Sequence, residues 1–174
     1  ISWNYRCHPF VEIARKLRGN SSNSVLLADC YHEWDKTCSE RFEKLKRNEE
    51  ALNSIFIQIY GLGGELTPEV DEKDVTVRLA DLEKDTKAFI SFAVGCMFGR
   101  YSLDVEGLAY AGGEWDDTKY STFGADKDNI IPISDDEYFE DDIVGKFVEF
   151  IKLAFGAESL QENLNFISNA LGGH

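Results

Sequence analysis

Cys30, His32 and Cys38, with Cys7 and His8 upstream, are residue types that hold zinc. Their spacing argues otherwise: on a helix, positions 30 and 32 point apart, and the paired-ligand spacing of zinc modules is missing. A second candidate is Gly61-Leu62-Gly63-Gly64 behind the apolar run 55–60, the order in which a strand and a glycine loop open many nucleotide-type sites. Tyr31, Cys38, Leu45, Leu52 and Ile59 recur every seven residues straight through that run, so a helix ending in glycines explains it better. Asp126-Lys127-Asp128-Asn129-Ile130-Ile131 begins like a calcium loop but lacks glycine at its sixth position. The adjacent acids Asp116-Asp117 diverge rather than converge on one ion, and no nucleophile elbow accompanies His8, His32 or His174. Catalytic, cofactor-binding and metal-binding residues are therefore all expected to be absent from this stretch.

Charge offers two surfaces instead. The 174 residues carry a net charge of −14, and residues 104–142 hold thirteen acids against Lys119 and Lys127. The densest part, Asp135, Asp136, Glu137, Glu140, Asp141 and Asp142, is a candidate interaction surface for protein, or a mimic of DNA, although a solvated loop kept soluble by its like charges is the plainer expectation. Arg41, Lys44 and Arg47, with Lys46 beside them, form the one dense basic cluster and are the candidate DNA contacts. Glu40 and Glu43 stand four residues before Lys44 and Arg47, so a salt-bridged helix face is the plainer expectation. The acidic balance counts against a surface that itself grips DNA or an anionic membrane. The longest apolar run, 88–98, is too short to cross a bilayer, and no charged-then-apolar signal segment opens the chain. Four cysteines without framework spacing point to a reducing compartment, and if Cys30 and Cys38 share a helix they lie about 12 Å apart, too far for a disulfide. An opening Ile1 rather than Met reads as a cut from something longer.

The elements that must position these residues are mostly helical. An aromatic opening segment and a first helix after Pro9, striped by Phe10, Ile13, Ala14 and Leu17, occupy residues 1–24, closing in a polar linker whose serines and asparagines can cap the next helix. One long helix fills 25–62, since neither proline nor glycine interrupts it before Gly61. Residues 63–174 form an acidic helical portion. In it Thr67-Pro68-Glu69 predicts a short helical turn, Val75-Thr76-Val77 and Ile130-Ile131-Pro132-Ile133 predict short strands, and 81–101 predicts a second buried helix. Gly95 and Gly99 on that helix invite close approach of another one. Residues 103–129 read as a long acidic loop. Ser134 and Ser159, each three residues before a Glu, open two last helices as capping boxes. The expected fold is mainly α: a helical bundle with one long helix, a small extended or β portion and a long acidic loop, forming one domain of a larger protein.

Several stretches together resemble one family: Ser2-Trp3 through His8-Pro9; Glu50 through Ile55-Phe56-Ile57 to Tyr60-Gly61-Leu62; Glu65-Leu66-Thr67-Pro68-Glu69-Val70; Val94-Gly95-Cys96-Met97-Phe98-Gly99-Arg100-Tyr101-Ser102-Leu103-Asp104; and Asp128-Asn129-Ile130-Ile131-Pro132-Ile133 with Asp135 to Asp142 behind it. They are similar to PglX-type adenine-specific DNA methyltransferases of bacterial BREX phage-defence systems. The resemblance implies a parent enzyme that transfers a methyl group from S-adenosylmethionine to adenine N6 in cytoplasmic DNA. Its partners would be its own other domains, DNA and other phage-defence proteins, with no membrane. The Asn-Pro-Pro-Tyr motif that holds the flipped adenine in that family cannot occur here, because Pro9, Pro68 and Pro132 are the only prolines and none are adjacent. The family's glycine-rich cofactor motif is missing as well, so no catalytic residue carries over. This piece alone is expected to be inactive and to bind no cofactor. The matching stretches resemble the region C-terminal to the methylase core, and the expected role is a non-catalytic helical spacer between that core and target recognition. Two alternatives stay open: a DNA-contacting recognition module, and an acidic protein-interaction or DNA-mimic surface.

Overall fold

A computed structural model describes residues 5–19, 24–133 and 142–173. Among them are five α-helices, α1 (Pro9–Arg18), α2 (Leu27–Tyr60), α3 (Leu82–Met97), α4 (Ile143–Phe155) and α5 (Leu160–Ala170), and two 3-10 turns at Glu72–Asp74 and Asp117–Tyr120. The chain divides into two compact units. One comprises residues 1–31 and 82–174, the other 32–81, so the division falls inside α2 rather than at either of its ends.

The first unit is organised around an aromatic core. α4 packs against α1, α3 and α5, and α3 also meets α5. Phe89 of α3 is fully buried at the centre. Phe10 of α1 lies 5.6 Å from its ring, Phe150 6.0 Å and Phe155 5.6 Å, the last edge-on. Such tilted and edge-to-face pairs match the positive edge of one ring to the negative face of the next. Tyr5, ahead of α1, docks its ring against Phe92 and Tyr101.

The helix ends are tied by side chains from distant parts of the chain. Pro9 opens α1, whose missing N–H is harmless in a first turn, and His8 Nδ1 accepts from the Phe10 N–H at 3.3 Å. Arg18, at the far end of α1, donates to the Leu153 and Ala154 carbonyls in the last turn of α4, which have no helical partner. The start of α2 is held by the α4–α5 junction: Val25 N–H donates to the Phe155 carbonyl at 2.7 Å, and Leu27 N–H to Asn163 Oδ1 at 2.7 Å.

The second unit contains most of α2 and the segment after it. At 34 residues and 1.5 Å per residue, α2 is about 51 Å long. Its stripe changes character along the way. Cys38 and Phe42 are buried, whereas Leu52 and Ile59, two and three heptads further on from Cys38, are exposed. After Gly61 the chain turns back. Asn53 Nδ2 donates to the Pro68 carbonyl at 3.2 Å, and Val70 N–H donates to the Glu50 carboxylate at 3.3 Å.

The structure departs from several expectations. Among the described residues there is no strand: Val75-Thr76-Val77 and Ile130-Ile131-Pro132-Ile133 run without a ladder partner, and a lone extended stretch leaves its backbone groups for solvent or loop contacts. Thr67-Pro68-Glu69 does not start a helix; the turn comes later, at Glu72–Asp74. Gly95 and Gly99 admit rings rather than a helix. A Cβ at Gly95 would sit 2.5 Å from Tyr101 Cδ2, and one at Gly99 2.5 Å from Trp115 Cη2. Ser159 makes no side-chain cap for α5; its hydroxyl donates to the Val25 carbonyl at 3.0 Å. On α1, Val11 is buried and Leu17 is not. The linker at 20–23 and the Ser134 capping box lie outside the described residues.

Between Leu103 and Asn129 the only regular element is the 3-10 turn, yet side chains organise the segment. Asp104 accepts from both the Thr122 N–H and the Thr122 hydroxyl. The Tyr120 hydroxyl donates to the Gly99 carbonyl at 2.6 Å. The rings of Tyr120 and Trp115 stack 4.6 Å apart and within 2° of parallel.

Candidate functional site

Of the acidic candidates, Asp135, Asp136, Glu137, Glu140 and Asp141 lie outside the described residues. Asp142 is described and is no part of an exposed surface. It is fully buried, and its Oδ1 accepts from the Gly145 N–H at 2.6 Å, capping α4. A carboxylate there satisfies an orphan amide and faces the positive end of the helix dipole.

Arg41, Lys44 and Arg47 are all exposed on α2. Steps of three residues rotate by 300°, so the three fan over about 120° of the helix circumference. The Arg41 guanidinium lies 5.8 Å over the Trp34 ring. The i,i+4 ion pairs expected from the sequence, Glu40 to Lys44 and Glu43 to Arg47, do not close; the i,i+4 pairs among the described residues are Glu12–Lys16 and Glu83–Lys87. The basic cluster therefore presents its charge to solvent.

The residue types that suggested metal or covalent chemistry are scattered. Cys30 and Cys38 are buried and His32 is exposed, and the described residues hold no group of three or more metal-ligating side chains. Burial pushes the Cys30 thiol up to about 12 and drives Cys7 and Cys96 upward too. A thiol held protonated is neither nucleophile nor ligand. His8 is driven the other way, to about 4, because burial among aromatic rings opposes its charged form more than Asp85 favours it. Its neutral nitrogen is then free to serve as the α1 cap.

Two concave regions stand out among the described residues. One, of about 490 Å³, is lined by Trp115, Tyr120, Gly124, Asp126, Lys127 and Asn129. Asp126 is already committed to Lys146, whose ammonium lies 2.9 Å away and holds the carboxyl below its usual range. The Trp115 indole N–H is likewise committed to Asp117 at 2.7 Å. The other, of about 280 Å³, lies wholly within the second unit, between the last turns of α2 and the returning segment, and its walls are Phe56, Ile57, Tyr60, Leu62 and Leu66. The heptad pattern marks Leu52, Ile55, Phe56 and Ile59 as a stripe to be buried; in the structure all four are exposed. Periodicity identifies the face but not its lack of a cover.

No family model matches the chain. It is 55% identical over 144 residues, 82% of its length, to the adenine-specific methyltransferase PglX of Lacticaseibacillus casei (strain Zhang). It is 49% identical over 89 residues, 47% of its length, to the adenine-specific methyltransferase BrxX of Escherichia coli O9:H4 (strain HS). The matches span 12% and 7% of those two proteins, so the chain corresponds to a small part of each.

Proposed function

We propose, from the premise that this chain belongs to the PglX-type adenine-specific methyltransferases as one segment of such a protein, that it is a non-catalytic helical positioning element. In this reading the parent enzyme is a bacterial phage-defence methyltransferase that moves a methyl group from S-adenosylmethionine to adenine N6. The segment links its methylase core to target recognition. The observation that carries the reading is α2: its first turn is bound into an aromatic core by Asn163, and its far turns offer an uncovered apolar face. Methyl transfer requires the reacting atoms to be held about 3–3.5 Å apart and aligned, so a stiff element that fixes two domains contributes to rate without touching substrate. Two absences in the sequence agree with a non-catalytic role: adjacent prolines for the adenine-holding motif, and a glycine-rich cofactor loop.

The test compares the 174-residue chain, the full-length methyltransferase and a full-length form lacking these residues. The chain alone is expected to bind no S-adenosylmethionine in calorimetry. The truncated enzyme is expected to keep cofactor binding and to lose site-specific adenine methylation. Micromolar cofactor binding by the chain alone overturns the reading.

A second reading has its own observation: Arg41, Lys44 and Arg47 are exposed and form no i,i+4 pair with Glu40 or Glu43. In it they bind DNA phosphates within the parent enzyme. Replacing all three with Gln then weakens DNA binding across all sequences and reduces the salt slope by up to about three, one for each phosphate left without its cation.

A further inference from the structure

Leu52, Ile55, Phe56, Ile59 and Tyr60 follow the i, i+3, i+4, i+7, i+8 spacing by which a helix offers one face to another element. That face is bare. Leu52 and Phe56 are each 53% exposed, Ile59 68% and Tyr60 70%. Apolar residues scattered singly on a surface need no explanation, but a contiguous stripe marks a contact site. The returning segment makes this one concave. Pinned by the Asn53–Pro68 and Glu50–Val70 hydrogen bonds, it brings Leu62 and Leu66 opposite Phe56 and Tyr60 and leaves the 280 Å³ groove between them. The groove is thus already formed without its occupant, which limits the ordering cost of filling it.

We propose that this groove is the socket for an apolar element, flanked by Lys or Arg, from the remainder of the same methyltransferase polypeptide. The inference deepens the positioning role and rests on the premise that the chain is a segment of such an enzyme. Two observations choose this occupant. The chain matches only 12% of its longer relative, so most of such a polypeptide lies outside it, tethered at high effective concentration. Acidic residues flank the lining along the chain: Glu50, beside Glu49, accepts from Val70 N–H of the returning segment, and the exposed Glu65 and Glu69 stand next to Leu66 and two residues after Thr67, giving the groove an acidic rim. A second copy docking here about a two-fold axis would set that rim against itself, whereas a basic-flanked element would meet it with opposite charge.

The test introduces Ile59→Cys and follows maleimide labelling at that peptide by mass spectrometry, in the full-length methyltransferase and in the 174-residue chain. Labelling in the full-length protein is expected to be at least tenfold slower. Equal rates overturn the proposal. So does protection in the 174-residue chain that grows with concentration and coincides with a dimer mass in sedimentation, because a second copy is then the cover. As a further readout, Phe56→Lys with Ile59→Lys is expected to lower the thermal midpoint of the full-length protein by more than that of the 174-residue chain; equal changes in the two also count against the socket. Labelling requires no methyl transfer, so a full-length protein that fails to methylate adenine sinks the positioning role while the socket test still reads out.

Discussion

Asn163 of α5 completes the first turn of α2, a helix that begins 136 residues earlier: its Oδ1 accepts from the Leu27 N–H at 2.7 Å, and its Nδ2 donates to the Val25 carbonyl at 3.0 Å. Helix starts usually find their cap on the residue just before them. Here a fully buried amide, 1% exposed, serves as both a cap and a backbone partner. Asn163→Ala leaves the buried Leu27 N–H unpaired, while the Val25 carbonyl keeps the Ser159 hydroxyl, and is expected to lower stability by about 1–3 kcal/mol. Urea unfolding followed by circular dichroism checks this, and Asn163→Asp, which keeps the acceptor but loses the donor, should also be destabilised.

His8 gives stability a pH dependence with a definite sign. Its folded value of about 4 lies below its ordinary 6.5, so the unfolded chain binds the extra proton between those limits. Its contribution is complete above about pH 6.5 and is lost as pH falls toward 4, by up to about 3 kcal/mol. Asn at this position keeps a capping acceptor but cannot titrate. The stability difference between the wild-type protein and His8→Asn should therefore change across that window, and the His8 ring resonances should hold their neutral positions in NMR spectra down to about pH 5.

Gly99 ends α3 with φ at +70°, and a methyl group there would meet the Trp115 ring at 2.5 Å. Gly99→Ala is expected to cost about 2 kcal/mol or more, combining the left-handed backbone penalty with displacement of the indole. Tryptophan fluorescence should shift with it. Gly63→Ala, where nothing lies within 4 Å of the new methyl, is the control and should change stability by less than about 0.5 kcal/mol.

Phe89 is the ring on which α1, α3 and α4 converge, and Phe89→Ala is expected to lower stability by about 3–5 kcal/mol. Phe98, just past the end of α3 and partly exposed, should tolerate the same change at under about 1 kcal/mol. Denaturant midpoints for the two variants decide between a core centred on Phe89 and one spread evenly over the segment.

The features legible in the amino-acid order are mostly local. Pro9, the heptads of α2 and the apolar spacing of α3 to α5 reflect periodicities that any helix must obey, and each element forms where its pattern lies. The strands do not form because two short apolar runs are too little to pair and cover. Caps are misread where the partner is remote: a serine at 159 has the pattern of a local cap, while the true anchor of α2 is Asn163, invisible without the fold. Asp142 is the instructive intermediate case. As one of thirteen acids it reads as surface charge, yet an Asp immediately before a helical apolar pattern is also a cap signal, and the structure uses it as one. The bare stripe on α2 is visible as a face in the sequence; nothing in a linear pattern says whether a neighbour covers it.

The link between Leu27 and Asn163 also sets an order of events at the ribosome. At about 5–20 residues added per second, the 136 residues that separate the two take roughly 7–27 s to synthesise. For that interval the start of α2 lacks its anchor, and for most of it the aromatic core lacks α4, so α1 and the start of α2 keep apolar surface open for seconds until α4 and α5 are made and cover it.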